Sequence, residues 1–125
     1  MPTVLVVDDA MFMRVAISNM VKEWDFEVVG EAVNGQEAVQ LYEQLQPDIV
    51  TMDLTMPVMN GLDAVKEIIA KDPKAKIIMV TALGQQRIIV DAIESGAKDF
   101  ITKPFIPDHI KRVLFNVLSL EDSSK

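Results

Sequence analysis

Five short strand-like runs alternate with helical patterns along this chain, and that alternation constrains its fold more than any other feature. The strand candidates are residues 4–7, 27–31, 49–52, 77–80 and 99–102. Val4-Leu5-Val6-Val7 and Ile77-Ile78-Met79-Val80 are continuous and apolar. Such runs suit strands covered on both faces, as in a parallel sheet. The second and fifth candidates are more polar and read as sheet edges, where water reaches the strand.

Helical periods fill the gaps. Ala38, Leu41, Tyr42 and Leu45 follow i, i+3, i+4, i+7, and Leu62, Val65, Ile68 and Ile69 nearly so. Met13, Ile17, Met20 and Trp24 form a stripe at three- and four-residue steps. Asn34 with Glu37 reads as an N-cap and its returning acidic partner. Gly96 falls where the fourth helix should end in a left-handed cap. Pro107 fits the first turn of the fifth helix, where its missing N–H costs nothing.

Strict βα alternation implies right-handed crossovers and a parallel sheet with helices on both faces. With strands two and five at the edges, the order is 2-1-3-4-5, a doubly wound, flavodoxin-like (βα)5 α/β fold. At 125 residues the chain is expected to be one domain, 1–125, with no output domain. In such folds ligands bind outside the carboxyl ends of the strands, here in the crevice between strands one and three.

Composition narrows the function. The chain has no cysteine, which excludes a disulfide framework, a thiolate zinc site and thiol catalysis. His109 is the sole histidine and reads as a solvated helix residue. The net charge of −7 argues against nucleic-acid binding, since phosphate contacts need excess Lys and Arg. No apolar run approaches the ~20 residues that span a bilayer. The N-terminal residues resemble no signal peptide, so a cytoplasmic, monomeric protein with no membrane partner is expected. Residues 121–125 read as a frayed tail.

Asp8 and Asp9 follow the first strand, Asp53 follows the third, Thr81 ends the fourth and Lys103 follows the fifth. Each alone is a weak signal: an Asp pair after a strand commonly caps a helix, and a lysine at a strand end is commonly solvated. Their convergence on one sheet edge is what matters. Crowded carboxylates repel one another and need a cation. All-oxygen ligands select a hard one, and Mg²⁺ fits best because it accepts one or two carboxylates and completes its shell with water and phosphate oxygens. Lys103 supplies a mobile point charge and Thr81 a hydroxyl donor. This set describes a phosphoryl-transfer site with a carboxylate nucleophile.

At these residues the sequence resembles the receiver domain of two-component response regulators, and within it the single-domain chemotaxis regulators. The matching motifs are Val6-Val7-Asp8-Asp9, the run from Met52-Asp53-Leu54 through Met56-Pro57 to Asn60-Gly61, Val80-Thr81-Ala82 and Lys103-Pro104-Phe105, at matching intervals. The resemblance implies that Asp53 accepts the phosphoryl group. It implies that Asp9, Asp53 and the backbone carbonyl of Thr55 bind Mg²⁺, while Asp8 holds a metal-bound water. Lys103 would pair with Asp53 and then with the phosphoryl oxygen, across a Lys103–Pro104 bond that is cis in the family. Thr81 would swing toward the phosphoryl group, and Phe100 occupies the switch-aromatic position. The implied protein is a signalling switch that catalyses only its own phosphorylation and dephosphorylation. Its partners would be a histidine kinase of the CheA type, a phosphatase, and the flagellar switch protein or an archaellum adaptor. The chain is similar to regulators of thermophilic and Gram-positive bacteria and of archaea more than to the enteric type. Phe100 lacks the tyrosine hydroxyl of many relatives, Thr55 stands where the family tunes dephosphorylation, and Leu83 is apolar where the enteric regulator has an acid.

Other readings stay open or fall away. A receiver serving a phosphorelay or a non-motility pathway remains an alternative. A haloacid-dehalogenase-like phosphatase would need an aspartate where Thr55 stands. A dinucleotide site would need glycines in the turn Asp8-Asp9-Ala10-Met11. In the fourth helix Ile88 and Ala92 are expected to face the core, leaving Ile89 and Ile93 partly exposed beside Phe100 as a partner face bordered by Arg87, Glu94 and Lys98. Met13, Met20, Met52 and Met79 read as core filler. Trp24 should lie far from Asp53, at the other end of the first helix.

Overall fold

The computed structural model describes residues 1–82 and 85–123, excepting the side chains of 120–123. The expectations for Leu83 and for residues 124–125 of the tail fall outside these residues, whereas 121–123, expected to fray, continue the last helix. In chain order the elements are β1 (Thr3–Val7), α1 (Met11–Glu23), β2 (Glu27–Ala32), α2 (Gly35–Leu45), β3 (Ile49–Asp53), α3 (Gly61–Lys71), β4 (Ile77–Thr81), α4 (Gln86–Glu94), β5 (Asp99–Thr102) and α5 (Pro107–Ser123). The five strands pair in parallel in the order β2-β1-β3-β4-β5.

The two-residue period of a strand splits the sheet into two faces. Leu5, Val7, Val50, Met52, Ile77 and Met79 point into one core, shared with α2, α3 and α4. Val4, Val6, Ile49, Ile78, Val80 and Ile101 point into the other, shared with α1 and α5. That two-sided cover is why β1 and β4 read as unbroken apolar runs. The edge strands β2 and β5 are the only strands with exposed residues among those described.

Local signals match the backbone. Glu37 N–H donates to Asn34 Oδ1 at 2.9 Å, and Glu37 Oε1 returns to the N–H of Val33, one residue ahead of the cap, at 3.1 Å. Gly96 follows α4 with φ +121°, a value that suits glycine. Pro107 is the first residue of α5. Tyr42 and Asp72 join the far ends of α2 and α3 through a 2.7 Å hydrogen bond. Burial of the phenol, together with the Asp72 carboxylate, raises the Tyr42 pKa far above its ordinary value.

Three expectations about facing need correction. In α1 the buried apolar pair is Ile17 and Val21, whereas Met13, Met20 and Trp24 are half-buried at its flank. Leu45, at the end of α2, is exposed. In α4 Ala92 is buried as expected, but Ile89 and not Ile88 turns inward with it, a rotation of about 50°, and Ile88 and Ile93 are each 39% exposed. At about 100° per residue, the bisector of Ile89 and Ala92 leaves Ile88 and Ile93 ~70° to either side, which explains their equal exposure. Ile89 is therefore a core residue, and of the two expected anchors only Ile93 is exposed. His109 is exposed, as expected. Among the described residues no helix is long and apolar enough to cross a membrane.

Candidate phosphoryl-transfer site

The site forms where β1, β3, β4 and β5 end. Asp8 follows β1, and its N–H still donates to Ala32 of β2 at 3.1 Å. One carboxylate oxygen, Oδ1, accepts the Ala10 N–H at 2.9 Å and so fixes the turn into α1. The Asp8 carbonyl accepts from Arg14 Nη1 at 2.8 Å, and Arg14 Nε reaches Glu31 Oε1 at 3.0 Å. Arg14 thus pins the backbone of Asp8 to α1 and to the edge strand β2.

Asp53 is the last residue of β3, paired with Val80 of β4. Gly61 opens α3 directly over it: a Cβ there would collide with the Asp53 carbonyl oxygen, and the Gly61 N–H donates to Leu54 O at 2.9 Å. A side chain at 61 would push α3 off the strand that carries Asp53. Lys103 enters from β5, where its N–H donates to Thr81 O at 2.8 Å. The Lys103–Pro104 peptide is cis.

Carboxylate oxygens of Asp8, Asp9 and Asp53 lie within 4.8 Å of one another; Asp8 and Asp53 are buried and Asp9 is exposed. Lys103 Nζ lies 3.5 Å from Asp53 Oδ1 and 3.6 Å from Asp8 Oδ2. The Asp53 pKa is pushed up to about 6, first by burial, then by the charge of Asp8, with a smaller push from Asp9; Lys103 pulls the other way. Asp8 Oδ2 is buried without a hydrogen-bond partner. A cluster of three carboxylates, two of them near one ammonium, with an unbonded buried oxygen among them, suits a hard divalent cation with oxygen ligands. The Mg²⁺ expected from the sequence therefore fits this donor set.

Thr81, the last residue of β4, is fully buried. Its Oγ1 lies 2.7 Å from Gln85 Oε1 and 3.2 Å from Ala82 O. Gln85 Oε1 also accepts the Ala82 N–H at 3.1 Å, and Gln85 Nε2 donates to Thr55 Oγ1 at 3.2 Å. Thr55, two residues past Asp53, is exposed.

Residues 4–115 match the response regulator receiver domain family. The chain belongs to that family. It is 61% identical to the chemotaxis protein CheY of Listeria monocytogenes over 110 residues, covering 88% of this chain and 92% of that one. It is 55% identical to CheY of Thermotoga maritima over 114 residues, covering 91% and 95%. Among solved structures it resembles the CheX–CheY–BeF3–Mg²⁺ complex from Borrelia burgdorferi, with a TM-score of 0.88 and 34% identity over 92% of this chain and 87% of that one. This receiver is thus CheY-like, of the chemotaxis type, and belongs to a family of signalling switches.

Beside the acidic site, a groove of about 350 Å³ runs between α4 and β5. Ile89, Val90 and Phe100 supply its apolar walls, and Gln85 also lines it. Phe100 is 39% exposed, on the edge strand. Sequence reading missed two residues of the receiver's site. Arg14 carried a signal: a cation in the first turns of a helix opposes the dipole and needs a local reason. Gln85 carried none, because its role depends on a loop bringing it back to Thr81.

Proposed function

We propose that this receiver is a chemotaxis switch that takes a phosphoryl group from a histidine kinase of the CheA type onto Asp53. The observation that carries this reading is the gathering of Asp8, Asp9 and Asp53 within 4.8 Å, with Lys103 reaching Asp53 from the far side of the sheet edge. With its pKa at about 6, Asp53 is mostly ionised at neutral pH and available as a nucleophile. An Asp53 oxygen forms the new O–P bond as the P–N bond to the kinase histidine breaks, and the imidazole nitrogen keeps the electron pair.

Asp9, Asp53 and the Thr55 carbonyl would hold Mg²⁺ directly and Asp8 through water. Bound there, Mg²⁺ neutralises charge on the carboxylates and on the transferring phosphoryl oxygens. Lys103 meets the phosphoryl oxygen with an ammonium already at the site. Thr81 turns its hydroxyl toward the new acceptor, and Phe100 moves into the space it leaves. That motion reshapes the groove lined by Ile89, Val90 and Phe100; α4 also exposes Ile88 and Ile93. The groove face would then bind the flagellar switch protein or an archaellum adaptor. A phosphatase would be a further partner, and the Borrelia complex supports a CheX-like protein as one that binds such a receiver.

Mass spectrometry after incubation with acetyl phosphate and Mg²⁺ tests the assignment. The wild type should gain the mass of one phosphoryl group and Asp53→Asn should not. Equal labelling of both proteins would overturn it.

A further inference from the structure

The Gln85 side chain has no ordinary explanation. It stands at the N-cap of α4, where a polar side chain commonly satisfies the free N–H groups of the helix, yet it makes no such bond. It turns back toward β4 and the β3–α3 loop instead.

The orientation of its carboxamide is fixed by chemistry. The Ala82 N–H can only donate, so the atom 3.1 Å from it must be the amide oxygen. The same oxygen lies 2.7 Å from Thr81 Oγ1, which must therefore donate its single proton. The amide nitrogen is left to face Thr55 Oγ1 at 3.2 Å. Thr81 is fully buried, and the Ala82 carbonyl at 3.2 Å is a longer, weaker acceptor for the same proton than Gln85 at 2.7 Å. The proton that a phosphoryl oxygen would need from Thr81 is held by Gln85.

We propose that Gln85 is a positioning residue that latches the Thr81 hydroxyl in the resting state and so sets how readily phosphorylation throws the switch. This rests on the phosphoacceptor reading given above. The latch spans three parts of the site. It grips the switch hydroxyl, it ties the β4–α4 turn to Thr55 beside Asp53, and it lines the groove together with Ile89 and Phe100. Release of Thr81 by Gln85 would free a residue of the groove lining in the same movement. The resting state is favoured by one neutral hydrogen bond, so its loss should shift the equilibrium toward the switched form by about two- to tenfold.

The test uses Gln85→Met, which keeps the length of the side chain and removes both the acceptor and the donor. Each protein is titrated with beryllofluoride at fixed Mg²⁺, and the transition is followed by the methyl resonance of Thr81 and the ring resonances of Phe100. Gln85→Met should reach its midpoint at a two- to tenfold lower concentration than wild type. Its ligand-free resonances should already be displaced toward the switched positions. In a Thr81→Ala background the Gln85→Met substitution should leave the midpoint unchanged, because nothing remains to be latched. Equal midpoints for wild type and Gln85→Met, or the same shift in the Thr81→Ala background, would overturn the latch. Acetyl phosphate labelling of the wild type runs in parallel. Failure to label there would overturn the phosphoacceptor reading itself, whereas normal labelling with equal midpoints would overturn the latch alone.

Discussion

Lys103 Nζ stands 3.5 Å from Asp53 Oδ1, long for a bond between an ammonium and a carboxylate. The reason is a second claim on the same charge, since Asp8 Oδ2 lies 3.6 Å away. Lys103 balances between two buried carboxylates and fully bonds neither. An ammonium held this way can move to a new oxygen at little cost, which is what a phosphoryl acceptor needs.

Removal of that charge should push Asp53 further from its ordinary range. Lys103 is the only influence that lowers the Asp53 pKa, against burial and the charges of Asp8 and Asp9. In Lys103→Met, the carboxyl ¹³C titration of Asp53 without Mg²⁺ should move above about 6. A midpoint equal to or below that of wild type would show that Lys103 does not face Asp53.

The raised pKa also fixes a pH dependence of stability. In the unfolded chain Asp53 titrates near its ordinary value of 3.8, and in the fold at about 6. Between those values the folded state binds more protons than the unfolded one, so this group makes stability fall as pH rises. Above pH 6 the loss is complete and constant. Asp53→Asn removes it. In metal-free buffer the Tm of Asp53→Asn minus that of wild type should grow from pH 4 to pH 6 and level off above. A difference independent of pH would contradict the assignment.

Asp9 differs from its neighbours in being exposed, so its removal opens no cavity. Its charge raises the Asp53 pKa, and its loss should relieve the cluster. Without metal, Asp9→Ala should melt at or above the wild-type temperature. With Mg²⁺ the order should reverse, because the variant loses about 1.4 kcal/mol of ligand stabilisation for each tenfold loss of affinity. An equal Mg²⁺-induced rise in Tm for both proteins would remove Asp9 from the ligand set.

Much of the fold could be read from the chain because its strongest signals are local. The apolar runs of β1 and β4, the cap at Asn34, Gly96 after α4 and Pro107 opening α5 all act within a few residues. Strand order followed from the polarity of β2 and β5. Asp8, Asp9, Asp53, Thr81 and Lys103 were legible because each sits at a strand end, and a parallel sheet brings such ends together. The facing of α4 was not. Ile88, Ile89 and Ile93 are chemically alike, so the residue that turns inward is decided by how the helix seats on β4, a tertiary matter. Gln85 was hidden for the same reason, since its partner Thr81 ends β4 while Thr55 lies on the connection after β3.

Val58, in the connection between Asp53 and α3, has a φ of 68° and is 76% exposed. The Met59 N–H donates to Pro57 O at 2.7 Å, so Val58 is the centre of a three-residue turn. With positive φ this is the strained form of that turn, and a β-branched residue is poorly suited to it. The strain persists because both sides are tied down. Met59 O accepts the Gly35 N–H at 2.8 Å, which locks the turn to the start of α2, while Leu54 O holds Gly61 at the start of α3. Glycine relieves such strain, worth about 1–3 kcal/mol, and gives back about 0.5–1 kcal/mol through the greater freedom of the unfolded chain. Val58→Gly should therefore stabilise the fold by about 1 kcal/mol. Urea unfolding checks this as a higher midpoint at unchanged slope. Mg²⁺ affinity should stay as in wild type, because the Val58 side chain points to solvent. A lower midpoint would mean that the positive φ at Val58 carries no strain for glycine to relieve.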